Sequence, residues 1–176
     1  MRVVISVGGR FHAFNLAQQL ARKDYLKKII TSYPKFETAK YGIPKEKIDS
    51  VIIKEILQRG WFSRFNPFQS LWNPTFPITE LFDRAASKRV VPADIFVGWA
   101  NQSLFSLKKA KSFGALGVIE RGSSHILFQD RMIREEYEIS RLRPAPSRLS
   151  DPRMIRRELA EYGEADYISI PSSFVK

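Results

Sequence analysis

Apolar residues follow two alternating rhythms along the chain. Residues 2–7 (RVVISV) are apolar at nearly every position, the pattern of a parallel strand covered on both faces. After Gly8-Gly9 the period lengthens. Ala13, Leu16, Ala17, Leu20 and Ala21 recur at helical spacing and predict an amphipathic helix. The same reading gives strands over 27–32 (KKIITS) and 50–54 (SVIIK), a helix over 78–91 and a strand over 93–98 (ADIFVG). A helix over 103–113 and a strand over 115–120 (ALGVIE) follow. Asp151-Pro152 supplies a capping side chain and a first-turn proline for a further helix. Ile155, Leu159 and Tyr162 mark its apolar face and Gly163 its end, before a last strand over 166–170 (DYISI).

Strands alternating with helices predict right-handed crossovers and one Rossmann-like, three-layer α/β domain over 1–176, with a mostly parallel sheet. Ligands of such sheets sit beyond the carboxyl ends of the strands. That rule selects the loops Gly8-Gly9-Arg10-Phe11-His12, Trp99-Ala100-Asn101-Gln102, Arg121-Gly122-Ser123-Ser124-His125 and Pro171-Ser172-Ser173, which contain both histidines of the chain. Two segments interrupt the alternation. Residues 61–77 (WFSRFNPFQSLWNPTFP) hold six of the 22 aromatic residues and three prolines, which suits either an excursion packed onto the domain or a membrane-interface or acceptor-contacting element. Residues 143–150 (RPAPSRLS) read as an irregular linker.

Composition narrows the chemistry. The absence of cysteine removes disulfides, thiolate nucleophiles and cysteine-based metal sites, and agrees with a cytoplasmic location. The net charge of +11 is one-sided: residues 1–111 carry 19 Lys and Arg against 8 Asp and Glu, whereas residues 112–176 carry ten of each. A basic surface of this kind attracts phosphate-rich partners, including anionic headgroups on the inner face of a membrane.

Gly8-Gly9 at a strand-to-helix turn lets backbone N–H groups approach an anion. The spacing is not G-x-G-x-x-G, and no G-x-x-x-x-G-K-S/T is present, which argues against dinucleotide and P-loop sites. His12 and His125 are candidate bases or phosphate contacts; without clustered acidic partners they argue against a metal. No G-x-S-x-G elbow supports a hydrolase triad. Arg121, a permanently charged fork, suits phosphate or sugar hydroxyls. The structural alternative has Arg121 paired with a neighbouring carboxylate and His125 capping the next helix. The charge run from Asp130 to Glu138 reads as a solvated helix face.

The opening MRVVISVGGRFHAFNLAQQLARK, the stretch GVIERGSSHILFQDRMIREEY and the stretch RRELAEYGEADYISIPSSFVK together resemble family-four glycosyltransferases of the GT-B fold. The resemblance implies the N-terminal, acceptor-side half of a retaining, metal-independent transferase that uses a nucleotide-sugar co-substrate and no further cofactor. It implies that Gly8, Gly9 and Arg10 face the donor, and that Arg121, Gly122 and Ser123 bind substrate with His125 as the catalytic residue. The family places its histidine nearer the strand than this chain does. It also implies a second, nucleotide-binding domain, absent from these 176 residues. A single half cannot position donor and acceptor, so the chain is expected to be inactive without a separate C-terminal domain. Partners on this reading are a nucleotide-sugar, a glycan or lipid-linked acceptor, and peripheral membrane contact. The competing reading is a basic binding module for RNA or an anionic membrane, though no RNA-binding signature is present and nucleic acid is not expected. A nucleotide-binding regulator on a flavodoxin-like sheet is a third.

Overall fold

The computed structural model describes residues 1–61, 73–142 and 151–173. Its strands are β1 (Val3–Val7), β2 (Leu26–Thr31), β3 (Ile48–Ser50), β4 (Ile95–Trp99), β5 (Leu116–Glu120) and β6 (Tyr167–Ser169). Its helices are α1 (Ala13–Arg22), α2 (Lys35–Ala39), α3 (Ile53–Trp61), α4 (Thr75–Ser87), α5 (Leu104–Lys111), α6 (Ile126–Ile139) and α7 (Pro152–Glu164). All strand pairs are parallel and the order is β3-β2-β1-β4-β5-β6. This is a Rossmann-like α/β sheet whose order reverses between β1 and β4, where the connections leave in opposite directions and open a crevice.

The unbroken apolar run of β1 is explained by burial on both faces. Val3, Ile5 and Val7 pack on one side with Ala13, Phe14 and Ala17 of α1. Val4 packs on the other with Phe82 and Ala86 of α4, Phe96 of β4 and Leu107 of α5. Gly98 brings β4 close to the next turn: a β-carbon there would lie 2.5 Å from Ser103 Cβ and Oγ and 2.9 Å from Phe96 Cε1. Ser103 is itself fixed, its Oγ donating to the Trp99 carbonyl at 3.0 Å. Gly98→Ala is therefore expected to cost about 1–3 kcal/mol, as overpacking in a filled core does. Urea unfolding of the variant checks this; an unchanged midpoint would contradict it.

Two readings of the sequence are corrected here. The third strand was expected over 50–54, but β3 ends at Ser50 and α3 starts at Ile53. Val51 closes the sheet edge by donating to the Thr31 carbonyl at 2.7 Å, and the chain then turns out over the sheet, so Ile52 and Ile53 are exposed. A short apolar run has no period that distinguishes strand from helix. The apolar face expected on α7 is only partly the inward one: Tyr162 packs against the core and Ile155 is half buried, but charged residues fill the most buried positions. Arg157, Glu158 and Glu161 are buried, Leu159 is exposed, and the helix runs through Gly163 to Glu164. The start of α7 is as expected, with Asp151 accepting from the Arg153 N–H at 2.8 Å and proline in the first turn. No described helix is long and apolar enough to cross a membrane. Most of the aromatic segment 61–77 and all of 143–150 lie outside the described residues.

Candidate functional site

Neighbouring residues of a strand point to opposite faces, and the carboxyl end of β5 uses this to divide two tasks. Glu120 turns toward α1. Its Oε2 lies 3.2 Å from Nε2 of His12, and its Oε1 accepts from Ser169 Oγ of β6 at 2.8 Å. His12 occupies the N-terminal cap position of α1, and its ring lies 5.1 Å from that of Trp99 at the end of β4. Glu120 is largely buried while His12 remains half exposed. The pair thus spans the carboxyl ends of β1, β4 and β5. With Nε2–H donating to Glu120, the neutral ring keeps its lone pair on Nδ1, the arrangement of an oriented general base.

Arg121 turns the other way and is held by the protein. Its Nε and Nη2 donate to the Ser124 carbonyl at 3.0 and 2.8 Å, Nη2 donates to Gln129 Oε1 at 2.9 Å, and Nη1 reaches Glu158 Oε2 at 3.1 Å. Only 11% of its side chain is exposed, and it fixes the turn that leads into α6. His125 caps that helix, Nδ1 accepting from the Leu127 N–H at 3.3 Å, with its ring 5.3 Å from Tyr162. Both structural alternatives raised by the sequence are therefore realised. Gly122 and Ser123 are exposed, and Ser123 joins Arg121, Asn101 and Gln129 around a cavity of about 350 Å³. The charge run is a solvated face of α6, with Asp130 paired to Arg134 at 2.8 Å and Glu135 to Arg131 at 3.5 Å.

Gly8, Gly9 and Arg10 line a larger cavity, about 800 Å³, on the α3 side of the first loop. There Lys54 is buried and donates to the Gly8 carbonyl and, at 3.0 Å, to Gln58 Oε1. Burial pulls its ammonium below the ordinary lysine range, with Glu55 acting against the shift. The loop itself is tightly folded: Phe11 adopts a left-handed φ of 38°, and a β-carbon on Gly9 would meet the Phe11 ring at 2.7 Å.

Beneath the β4 loop lies a buried ionic network. Glu161 accepts from the Asn101 and Ser103 N–H groups at 2.5 and 2.8 Å. Glu158 accepts from the Asn101 side chain and the Tyr162 hydroxyl. Arg157 donates to Asp83 and, at 3.0 Å, to the Asn101 carbonyl. These contacts hold Asn101 at its left-handed φ of 70°. Burial pushes the Glu161 carboxyl up to about 8, resisted by the Ser103 N–H and then by Arg157. Burial also raises Asp83 and Glu158.

The network gives a pH dependence. Glu161 takes up its proton at a higher pH when folded than its unfolded value of 4.5, so its contribution is complete below 4.5 and is lost as pH rises through about 8. Between pH 5 and 8 stability is expected to fall with a slope approaching about 1.4 kcal/mol per pH unit for this one proton. Asp83 and Glu158 act in the same sense. Asp151, held low by Arg153, acts oppositely but only below the ordinary aspartate range. Urea unfolding across this window checks the slope, which Glu161→Gln should flatten; an unchanged slope in the variant would contradict the assignment.

No protein-family model and no curated protein matches the chain. Among solved structures it is similar to "TcCGT1 in complex with UDP", at 12% identity over 96% of this chain and 44% of that one, with a TM-score of 0.49. It is also similar to "Phytolacca americana UGT2 complexed with UDP-2fluoro-glucose and pterostilbene", at 13% identity, 97% and 46% coverage and a TM-score of 0.45. The chain spans less than half the length of either.

Two functional candidates were not legible in the sequence. In the sequence Glu120 reads only as the end of a strand, because its partner His12 lies 108 residues away and only the meeting of β1 and β5 beside β4 joins them. Lys54 was assigned to a strand. The signal available for both was position: a polar residue at, or just beyond, the carboxyl end of a buried run.

Proposed function

We propose that these residues form the acceptor-side half of a nucleotide-sugar-dependent glycosyltransferase, completed by a second, donor-binding domain. The observation that carries this is the His12–Glu120 pair at the point where the strand order reverses. A half-exposed imidazole oriented by a largely buried carboxylate is suited to taking the proton of an attacking hydroxyl. The sequence resemblance to family-four enzymes supports the same class. In this reading His12 carries the base, since the Nδ1 lone pair of His125 is already engaged by the helix cap. Gly8, Gly9 and Arg10 border the substrate cavity. Arg121 and Ser123 border a second cavity, and Arg121 holds the turn through Gly122 by its bonds to the Ser124 carbonyl. The acceptor is a glycan or lipid-linked hydroxyl compound, the co-substrate is a nucleotide-sugar, and no metal takes part.

The test is calorimetric titration with UDP-, GDP- and ADP-sugars, alone and with a candidate donor domain, followed by a transfer assay on the mixture. Transfer only in the mixture supports the reading. The anomeric configuration of the product then decides the route: direct attack by a His12-activated hydroxyl inverts it, whereas the family resemblance implies retention. Absence of sugar binding in every combination, with tight and salt-sensitive binding to RNA or anionic vesicles, would replace the transferase by a basic binding module.

A further inference from the structure

The 800 Å³ cavity has a composition that the base pair does not explain. Its cations are Arg10 from the first loop, Lys54 from the first turn of α3 and Arg59 from its last, with Glu55 the one carboxylate among the lining residues. Glu55 is already shared: it accepts from Ser32 Oγ at 2.6 Å and pairs with Arg59 at 3.4 Å. Arg10 has no hydrogen-bond or ion-pair partner among the described residues, and neither have the N–H groups of Gly9, Arg10 and Phe11 beside it. The cavity therefore holds a surplus of positive charge with unspent donors, while Lys54 bears the desolvation cost of standing at its base. Such a site is completed by an anion.

The cavity adjoins an apolar one and shares part of its wall with it. Tyr33, Glu55 and Arg59 also line a groove of about 380 Å³ between α2 and α3, whose other walls include Phe36, Ile52 and Ile56. All three of these apolar side chains are exposed, Phe36 and Ile56 by more than 60%. A cationic hollow beside an apolar groove matches a ligand with an acidic head and a hydrocarbon chain. The hollow shares the loop 8–12 with the His12–Glu120 pair but lies on its α3 side.

We propose that the acceptor is an anionic amphiphile, its acidic group seated among Arg10, Lys54 and Arg59 and its apolar chain lying between α2 and α3. This rests on the transferase reading and names the acceptor class within it. Binding is tested on the full chain without donor, by calorimetry with decyl phosphate, inorganic phosphate and neutral decyl maltoside, each below its micellar concentration. Decyl phosphate is expected to bind at least about tenfold more tightly than either of the others. The double variant Arg10→Ala/Arg59→Ala is expected to lose about tenfold or more of that affinity with an unchanged melting temperature, and Ile56→Glu a similar factor. Both changes are at exposed positions, so folding is preserved without touching Lys54. Equal binding of phosphate and decyl phosphate would overturn the apolar part. Equal binding of decyl maltoside, or affinity indifferent to Arg10 and Arg59, would overturn the acidic part. His12→Ala separates the two readings: it should leave decyl phosphate binding intact while slowing transfer by about 10²–10⁴-fold, and transfer to a neutral acceptor alone would sink this proposal while sparing the other.

Discussion

Replacing Arg157 by leucine is expected to lower the unfolding free energy at pH 7 by about 3–5 kcal/mol, the usual consequence of removing one partner from a buried ion pair. Arg157 is only 4% exposed in its side chain; it bonds Asp83 and lies 3.6 Å from Glu161, both fully buried. Its guanidinium also rests 5.4 Å from the centre of the Phe105 ring. Without it, two carboxyls remain in a region from which water is excluded, and the Asn101 carbonyl loses its donor. Asp83 would keep the N–H groups of Phe105 and Ser106, at 2.7 and 3.0 Å, which limits the damage. Glu161 is already held largely protonated at pH 7, so the charge left without a partner is that of Asp83; burial raises this carboxyl, so the loss should shrink toward pH 5, and the double variant Arg157→Leu/Asp83→Leu should recover part of it. Urea unfolding followed by circular dichroism at the two pH values measures this. A loss below about 1 kcal/mol at pH 7, or one independent of pH, would show that the guanidinium does not neutralise Asp83.

This network also explains where the sequence misleads. The apolar positions Ile155, Leu159 and Tyr162 of α7 follow helical spacing, and a periodicity argument turns them inward. Tyr162 does pack against the core, but the most buried positions of the helix are set by backbone donors that need acceptors. The loop after β4 presents the Asn101 and Ser103 N–H groups to the interior, and in a buried place these require acceptors. Glu161 supplies both, Glu158 binds the Asn101 side chain, and Arg157 balances the charge. Hydrophobic pattern cannot register such a demand, because it arises only once β4 and α7 have been brought together.

Elements governed by local rhythm were legible. β1 and α1 lie within a residue or so of their expected bounds, since a doubly covered strand and an amphipathic helix each leave a pattern in their own residues. The loops at the carboxyl ends of the strands were also legible, because the alternation of strand and helix fixes which turns lie on that edge of a parallel sheet. The pairings within those loops were not. In the GVIERGSSHI stretch the side-chain alternation of β5 sends Glu120 to the α1 face and Arg121 to the α7 face, and the sequence offers no means of deciding which neighbour waits on each side. Arg121 attracted the functional reading by its chemistry, yet most of its donors are spent on the turn and on Glu158.

The second large effect follows from Glu120. On the proposed transferase reading, with the donor domain supplied, His12→Ala is expected to lower kcat by about 10²–10⁴-fold, the range for loss of a positioned general base, with little change in acceptor KM. Glu120→Gln should lower kcat in the same direction by a smaller factor. A glutamine amide keeps the volume and can still accept from Ser169 Oγ, but it carries no charge to stabilise the imidazolium formed as the proton transfers. Ser169→Ala tests the same chain of contacts one step further out, and its effect should be smaller still. The pH profile discriminates this role from a structural one. If His12 is the base, kcat of the parent rises with pH as the imidazole loses its proton, and that limb disappears in His12→Ala while the fold, read by circular dichroism, is unchanged. A variant that keeps the limb, or that loses acceptor binding and turnover together, would mean that the pair holds α1 against β5 and that the proton goes elsewhere.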